Sequence, residues 1–224
     1  MRIYLLAGIA TRESFFVVCR QRLEQLSQSA GWTPDIRVLY PYGDDRRSVL
    51  LQAPEVLRDV LAARRGGRHI AQIVGESSGG DSPLVLIGHS GGGAAACHAA
   101  DLLRTASGLS DIRVVQIGSP RVPVSRALAA HVCYLYAVDA SGRRTDPVTR
   151  LGSWGGWSQE GRSRMPRWQP LKHAPGHIEA IPLLGGHTDY LRHADPYIDA
   201  DRVSNLERTL GRAWSWLTAS LRER

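Results

Sequence analysis

Residues 84–103 constrain this chain more than any other stretch. Leu84-Val85-Leu86-Ile87 is a run of bulky apolar side chains without a polar break, the pattern of a strand buried on both faces. Gly88-His89-Ser90-Gly91-Gly92-Gly93 follows, and then an alanine-rich run beginning Ala94-Ala95-Ala96 that favours helix. Strand, tight turn and helix, in that order, form the setting in which G-x-S-x-G carries chemistry. A serine at the apex of so sharp a turn has strained backbone angles. The residues two places either side of it must lack side chains if strand and helix are to come together. Its hydroxyl then stands above the carboxyl edge of the sheet, over a helix N-terminus, where negative charge is favoured. Ser90 is therefore the candidate nucleophile. A second match, Gly75-Glu76-Ser77-Ser78-Gly79, runs into Gly80-Asp81-Ser82-Pro83, which cannot begin a long helix, and reads as a loop.

The chain of 224 residues suits one domain, and its 43% hydrophobic content supports a full core without disulfides. Cys19, Cys97 and Cys133 are odd in number, far apart and set among apolar neighbours. They read as reduced core residues, which suggests a cytoplasmic protein. The opening residues 1–10 are too short for a membrane span and lack a signal-peptide cleavage region, and read as a first core strand. The formal net charge is +7, and Lys172 is the only lysine, so the excess is almost all arginine. The arginines are scattered and no aromatic-interleaved RNA signature accompanies them, so no nucleic-acid partner is expected. A basic soluble surface accounts for them, with an acidic substrate or an anionic membrane surface as the alternative.

Along the chain, apolar runs mark strands at residues 3–7, 36–40, 84–87, 112–117, 132–138 and 178–183. Helical spacing marks residues 15–26 behind a Ser14 cap, residues 48–65, residues 94–105, and a C-terminal helix with the stripe Val203, Leu206, Leu210, Trp214, Leu217 and Leu221. Alternating strands and helices imply a mostly parallel sheet with helices on both faces. One long irregular stretch interrupts the domain at residues 150–176, which hold Trp154, Trp157 and Trp168. It is a candidate cap or pocket wall, or else a surface insertion held by its own tryptophans.

A serine needs a histidine to take its proton and a carboxylate to hold the imidazole. In this topology the order is Ser, acid, His, each on a loop after a strand. Asp139 and Asp146 both follow the strand at residues 132–138, and loop position favours Asp146. His187 lies four residues beyond the last strand, in Leu184-Gly185-Gly186-His187-Thr188-Asp189-Tyr190. His193 is the runner-up, and His89 reads as a pocket residue rather than a base. The oxyanion donors are expected to be the backbone amides of Gly91 and Ile9, with Ala10 next. Trp154 and Trp157 are further pocket candidates. Neither a metal nor another cofactor is expected. Pro175 breaks the helix that would align His173 with His177, and Gly91-Gly92-Gly93 lacks the Gly-Lys-Ser/Thr of a phosphate loop.

Three segments in order, Ile87-Gly88-His89-Ser90-Gly91-Gly92, then Gln116-Ile117-Gly118-Ser119-Pro120-Arg121-Val122, then Asp146-Pro147-Val148-Thr149-Arg150-Leu151, resemble the α/β-hydrolase superfamily, and within it the class 3 (fungal-type) lipases. The second resembles that group's G-x-P-R-V segment and the third its acid-bearing D-x-V-P-R-L segment. The resemblance covers residues 84–151. It implies an α/β-hydrolase three-layer sandwich over residues 1–224, with Ser90, Asp146 and His187 hydrolysing a small-molecule or lipid ester. The chain is shorter than that group, shows no secretion signal or amphipathic lid before the elbow, and lacks the disulfides of secreted lipases, so a smaller or intracellular ester is expected. Two other readings fit the same residues: a thioesterase or acyltransferase with the same triad, and a non-catalytic scaffold or anion-binding protein.

Overall fold

The computed structural model describes residues 1–9, 11, 13–42, 65–76, 82–159 and 165–222. Among these, six strands form one parallel sheet: β1 (Arg2–Leu6), β2 (Asp35–Leu39), β3 (Leu84–His89), β4 (Ile112–Ile117), β5 (Val132–Val138) and β8 (His177–Pro182). Their order across the sheet is β2-β1-β3-β4-β5-β8. The helices are α1 (Val17–Ser29), α2 (Arg65–Glu76), α3 (Gly91–Ser107), the short α4 (Arg126–Ala129) and α5 (Asn205–Arg222). A two-stranded antiparallel hairpin, β6 (Gly156–Ser158) with β7 (Arg167–Gln169), stands apart from the sheet.

Period-two alternation sorts the strand residues onto two cores. Ile3, Leu5, Val85, Ile87, Val115, Ile117 and Leu135 face one side and pack with Cys19 and Leu23 of α1 and with Leu206, Leu210 and Leu217 of α5. Tyr4, Leu6, Leu84, Leu86, Ile112 and Val114 face the other side and pack with Ile70 and Val74 of α2 and with the alanine face of α3. Both faces are thus covered, which is why Leu84–Ile87 of the central strand β3 reads as an unbroken apolar run. Cys19, Cys97 and Cys133 are all buried and outside any disulfide, as their apolar settings predict.

The chain runs from β1 outward to β2, returns past β1 to β3, and then moves the other way through β4, β5 and β8. The strand order therefore reverses between β1 and β3, and a crevice opens there beyond the carboxyl ends of those two strands. The loop after β1 carries Ile9, and the turn after β3 carries Ser90.

Several boundaries differ from the sequence expectation. Ser14 caps no helix: it lies in a 3-10 turn (Glu13–Phe16), and α1 starts after Phe16 without a side-chain cap. The helix expected at residues 48–65 lies outside the described residues except for Arg65, which begins α2. The second G-x-S-x-G match falls on the end of α2 and on residues outside those described. No helix among the described residues is long and apolar enough to cross a membrane.

Candidate active site

Ser90 sits at φ 58°, ψ −131°, one of two non-glycine residues with positive φ among those described. Such a conformation costs on the order of 1–3 kcal/mol and persists only where the surroundings impose it. The surroundings here are the crossing of β3 and α3. A Cβ added to Gly88 would lie 2.3 Å from the backbone of Gly92, so no side chain fits where strand meets helix. The Gln116 side-chain amide donates to the Gly93 carbonyl at 3.0 Å and ties the helix start to β4.

His187 Nε2 lies 2.9 Å from Ser90 Oγ, and His187 Nδ1 lies 3.0 Å from Asp146 Oδ2. The three residues that the sequence nominates, spread over three loops, thus form one chain of hydrogen bonds. Asp146 is fully buried and its charge is held by donors. The Val148 N–H donates to Oδ1 at 2.8 Å and the Tyr190 hydroxyl donates to Oδ2 at 2.9 Å. Buried carboxylates persist only when hydrogen-bonded in this way. Gly118, at φ +56°, makes room for the acid: a Cβ there would stand 2.6 Å from the Tyr190 ring and 2.8 Å from Asp146 Oδ2. Arg121, three residues on, fixes the acid loop. Its Nε donates to the Thr149 carbonyl at 2.9 Å and its backbone N–H to the Leu151 carbonyl at 2.8 Å.

The runner-up acid is placed elsewhere. Asp139 spends both oxygens on its own turn: Oδ1 accepts from the Ser141 N–H, the Ser141 hydroxyl and the Arg143 N–H, and Oδ2 accepts from Arg143 Nε. The Ser141 hydroxyl bond, followed by the Arg143 amide, holds its carboxyl well below the usual carboxylate range. His193 lines the same cleft as His187 but does not reach Ser90 by hydrogen bond.

His89 is buried beside the triad. Its ring stacks on that of His187, centroids 5.1 Å apart, and its Nε2 donates to the His187 carbonyl at 2.9 Å. Burial, then the charge of His187, push the His89 imidazole down to about 4, so it is neutral at neutral pH. The loop bearing His187 is fastened from α5. Asn205 Nδ2 donates to the Leu184 carbonyl at 2.7 Å and the Asp189 carbonyl at 2.9 Å, and its Oδ1 accepts from the Leu184 N–H at 3.0 Å. Thr209 adds a bond to the Tyr190 carbonyl at 2.9 Å.

Gly91 opens α3, where the first amides have no carbonyl a turn earlier to donate to. Ile9 lines the cleft with Ser90. A Cβ built on its neighbour Gly8 would lie 2.7 Å from the Ser90 Cβ, so the loop after β1 lies directly against the serine. Ala10 lies outside the described residues.

Two pocket candidates are corrected. Trp154 is buried against the Tyr134 ring (centroids 4.8 Å apart) and beneath the Arg121 guanidinium at 5.1 Å, so it is a packing residue. Trp157 is 64% exposed and meets Trp168 across the β6–β7 hairpin at 5.5 Å. Neither lines the cleft, and among its described residues the stretch 150–176 contributes nothing to it.

The sequence reading missed Tyr190, Asn205 and the part played by Gly118. The G-x-P-R-V segment was the available signal for Gly118, since a glycine directly after a buried strand marks a close approach. Among the described residues no group of three or more His, Cys, Asp or Glu is arranged to hold a metal ion. No protein-family model matches the chain, and no curated protein matches it.

Proposed function

We propose that the protein is a serine hydrolase of carboxylic esters, built on an α/β-hydrolase fold of the kind that its motifs resemble in the class 3 lipases. The observation that carries this reading is the hydrogen-bond chain from Ser90 Oγ through both nitrogens of His187 to Asp146 Oδ2, at 2.9 and 3.0 Å. Burial of the acid, the neutrality of His89 and the strained turn at Ser90 support it.

In the mechanism, Ser90 Oγ attacks the ester carbonyl carbon while His187 Nε2 takes the hydroxyl proton. Asp146 accepts a hydrogen bond from Nδ1–H, keeps the ring in the tautomer that leaves Nε2 free, and stabilises the imidazolium. The tetrahedral oxyanion takes the backbone N–H groups of Gly91 and Ile9, each such donor supplying about 3 kcal/mol to the transition state. Collapse breaks the carbon–oxygen bond to the alcohol, which leaves with the proton from Nε2. Water then attacks the acyl-enzyme, giving its proton to His187, and the carboxylic acid departs as Oγ regains a proton.

The test is Ser90→Ala. The variant is expected to keep its fold by circular dichroism, to lose turnover of a short p-nitrophenyl ester, and to lose labelling by a fluorophosphonate probe that marks the wild type at Ser90. Turnover unchanged in the variant would overturn the reading.

A further inference from the structure

The cleft in front of Ser90 holds about 440 Å³ and is two-natured. Ile9, Phe15, Val18 and Leu191 give it apolar surface, whereas Arg192 and His193 bring nitrogen donors to it from the loop that follows His187. No Asp or Glu is among the described residues that line it.

Arg192 is weakly committed to the protein. Its nearest carboxylate, Asp189, is 3.9 Å from Nε, beyond hydrogen-bonding distance. Asp189 is already occupied, accepting from the Gly186 N–H at 2.9 Å and the Thr188 hydroxyl at 3.2 Å. The Tyr197 ring lies 5.9 Å from the guanidinium, at the outer limit of a cation–π contact. Among the described residues the Arg192 side chain donates no hydrogen bond and is 54% exposed. Asp146, the buried carboxylate behind His187, has its oxygens taken by its own donors and is fully covered. An always-charged planar fork with its N–H groups unspent, in a cleft without lining carboxylates, matches a carboxylate or phosphate group. The net charge of +7 draws anions toward the protein as a whole.

We infer that the ester hydrolysed at Ser90 carries an anionic group, carboxylate or phosphate, bound by Arg192 with His193 beside it, and a short apolar portion bound by Phe15, Val18 and Leu191. This inference rests on the esterase reading above and adds the substrate class.

The test compares kcat/KM for three aryl acetates: neutral methyl 4-acetoxybenzoate, the carboxylate 4-acetoxybenzoate, and the phosphonate 4-(phosphonomethyl)phenyl acetate. Comparing the anionic-to-neutral ratio between wild type and variant cancels differences in the substrates' intrinsic reactivity. That ratio is expected to fall about tenfold in Arg192→Gln, as for loss of one charge-assisted hydrogen bond. It is expected to recover in part in Arg192→Lys, to fall furthest in Arg192→Glu, and to shrink with added salt. Whichever of the two anionic ratios falls further between wild type and Arg192→Gln tells carboxylate from phosphate. A ratio equal in wild type and Arg192→Gln overturns the inference and leaves the esterase reading standing, because that reading depends on the neutral ester and on Ser90 labelling. Where no ester is turned over and Ser90 does not label, the esterase reading fails. Calorimetric binding of 4-hydroxybenzoate then decides the subsite: weaker binding to Arg192→Gln supports it, and equal binding overturns it.

Discussion

The two aspartates after β5 show how a site is decided at the scale of single residues. Both follow the same strand, but Asp146 is fully buried and Asp139 lies in a surface turn, and different groups hold their oxygens. Asp139 is saturated by its own turn, whereas Asp146 keeps Oδ2 for His187 and for the Tyr190 hydroxyl. Asp146→Asn is expected to lower kcat by about a thousandfold or more, because an amide facing Nδ1 no longer fixes the reactive tautomer. Asp139→Asn is expected to change kcat by less than about threefold, since surface turns of this sort carry no chemistry. Steady-state kinetics on both variants would separate them, and a larger loss at position 139 would displace Asp146 from the mechanism. Asp146 and His187 were legible from their loops. Tyr190 was not, because nothing in a loop's sequence tells which way a hydroxyl three residues after the base turns, and only the fold sets it against the acid.

At the scale of elements, the first turn of α5 serves as the seat of the His187 loop. The backbone N–H of Leu206 donates to the Arg192 carbonyl at 2.9 Å, beside the bonds from Asn205 and Thr209. Asn205→Ala would leave two part-buried carbonyls and an amide without this partner. It is expected to cost about 2–3 kcal/mol in urea unfolding, on the scale of groups left unsatisfied. It is also expected to lower kcat at least tenfold with little change in KM, since small displacements of a base are costly. Equal kcat with lowered stability would make the contact purely structural. The strands β3 and β5 were legible because burial on both faces leaves nearly unbroken apolar runs, and β4 because apolar residues flank its Arg113 and Gln116. The hairpin was not. Its three-residue strands are too short for any period, and the Trp157–Trp168 pair that joins them is a contact across residues that no pattern of spacing relates.

For the whole molecule, the cost of holding neutral His89 inside appears as a dependence of stability on pH. In the unfolded chain the imidazole protonates near its ordinary value of 6.5, whereas in the folded protein it resists until about 4. Between those values the unfolded state binds the extra proton, so stability rises with pH through the window and is complete above it. On this account the folded state loses up to about 3 kcal/mol between pH 7 and pH 4. Urea titrations at both values should show a smaller loss in His89→Asn than in wild type, and identical losses would assign the acid sensitivity to other groups.

The excursion between β5 and β8 carries a consequence for divergence. Leu151 is fastened to Arg121, His173 to Val124, and Gly176 to Ala129, each through the backbone. These bonds anchor the start and the end of the detour to the body of the protein, and the acid and the base lie outside them, each beside a strand paired in register with the other. The hairpin between the anchors is thus a graft site. Chain exchanged there leaves the spacing of Asp146 and His187 to the sheet, so the periphery can change without moving the residues of the proposed chemistry.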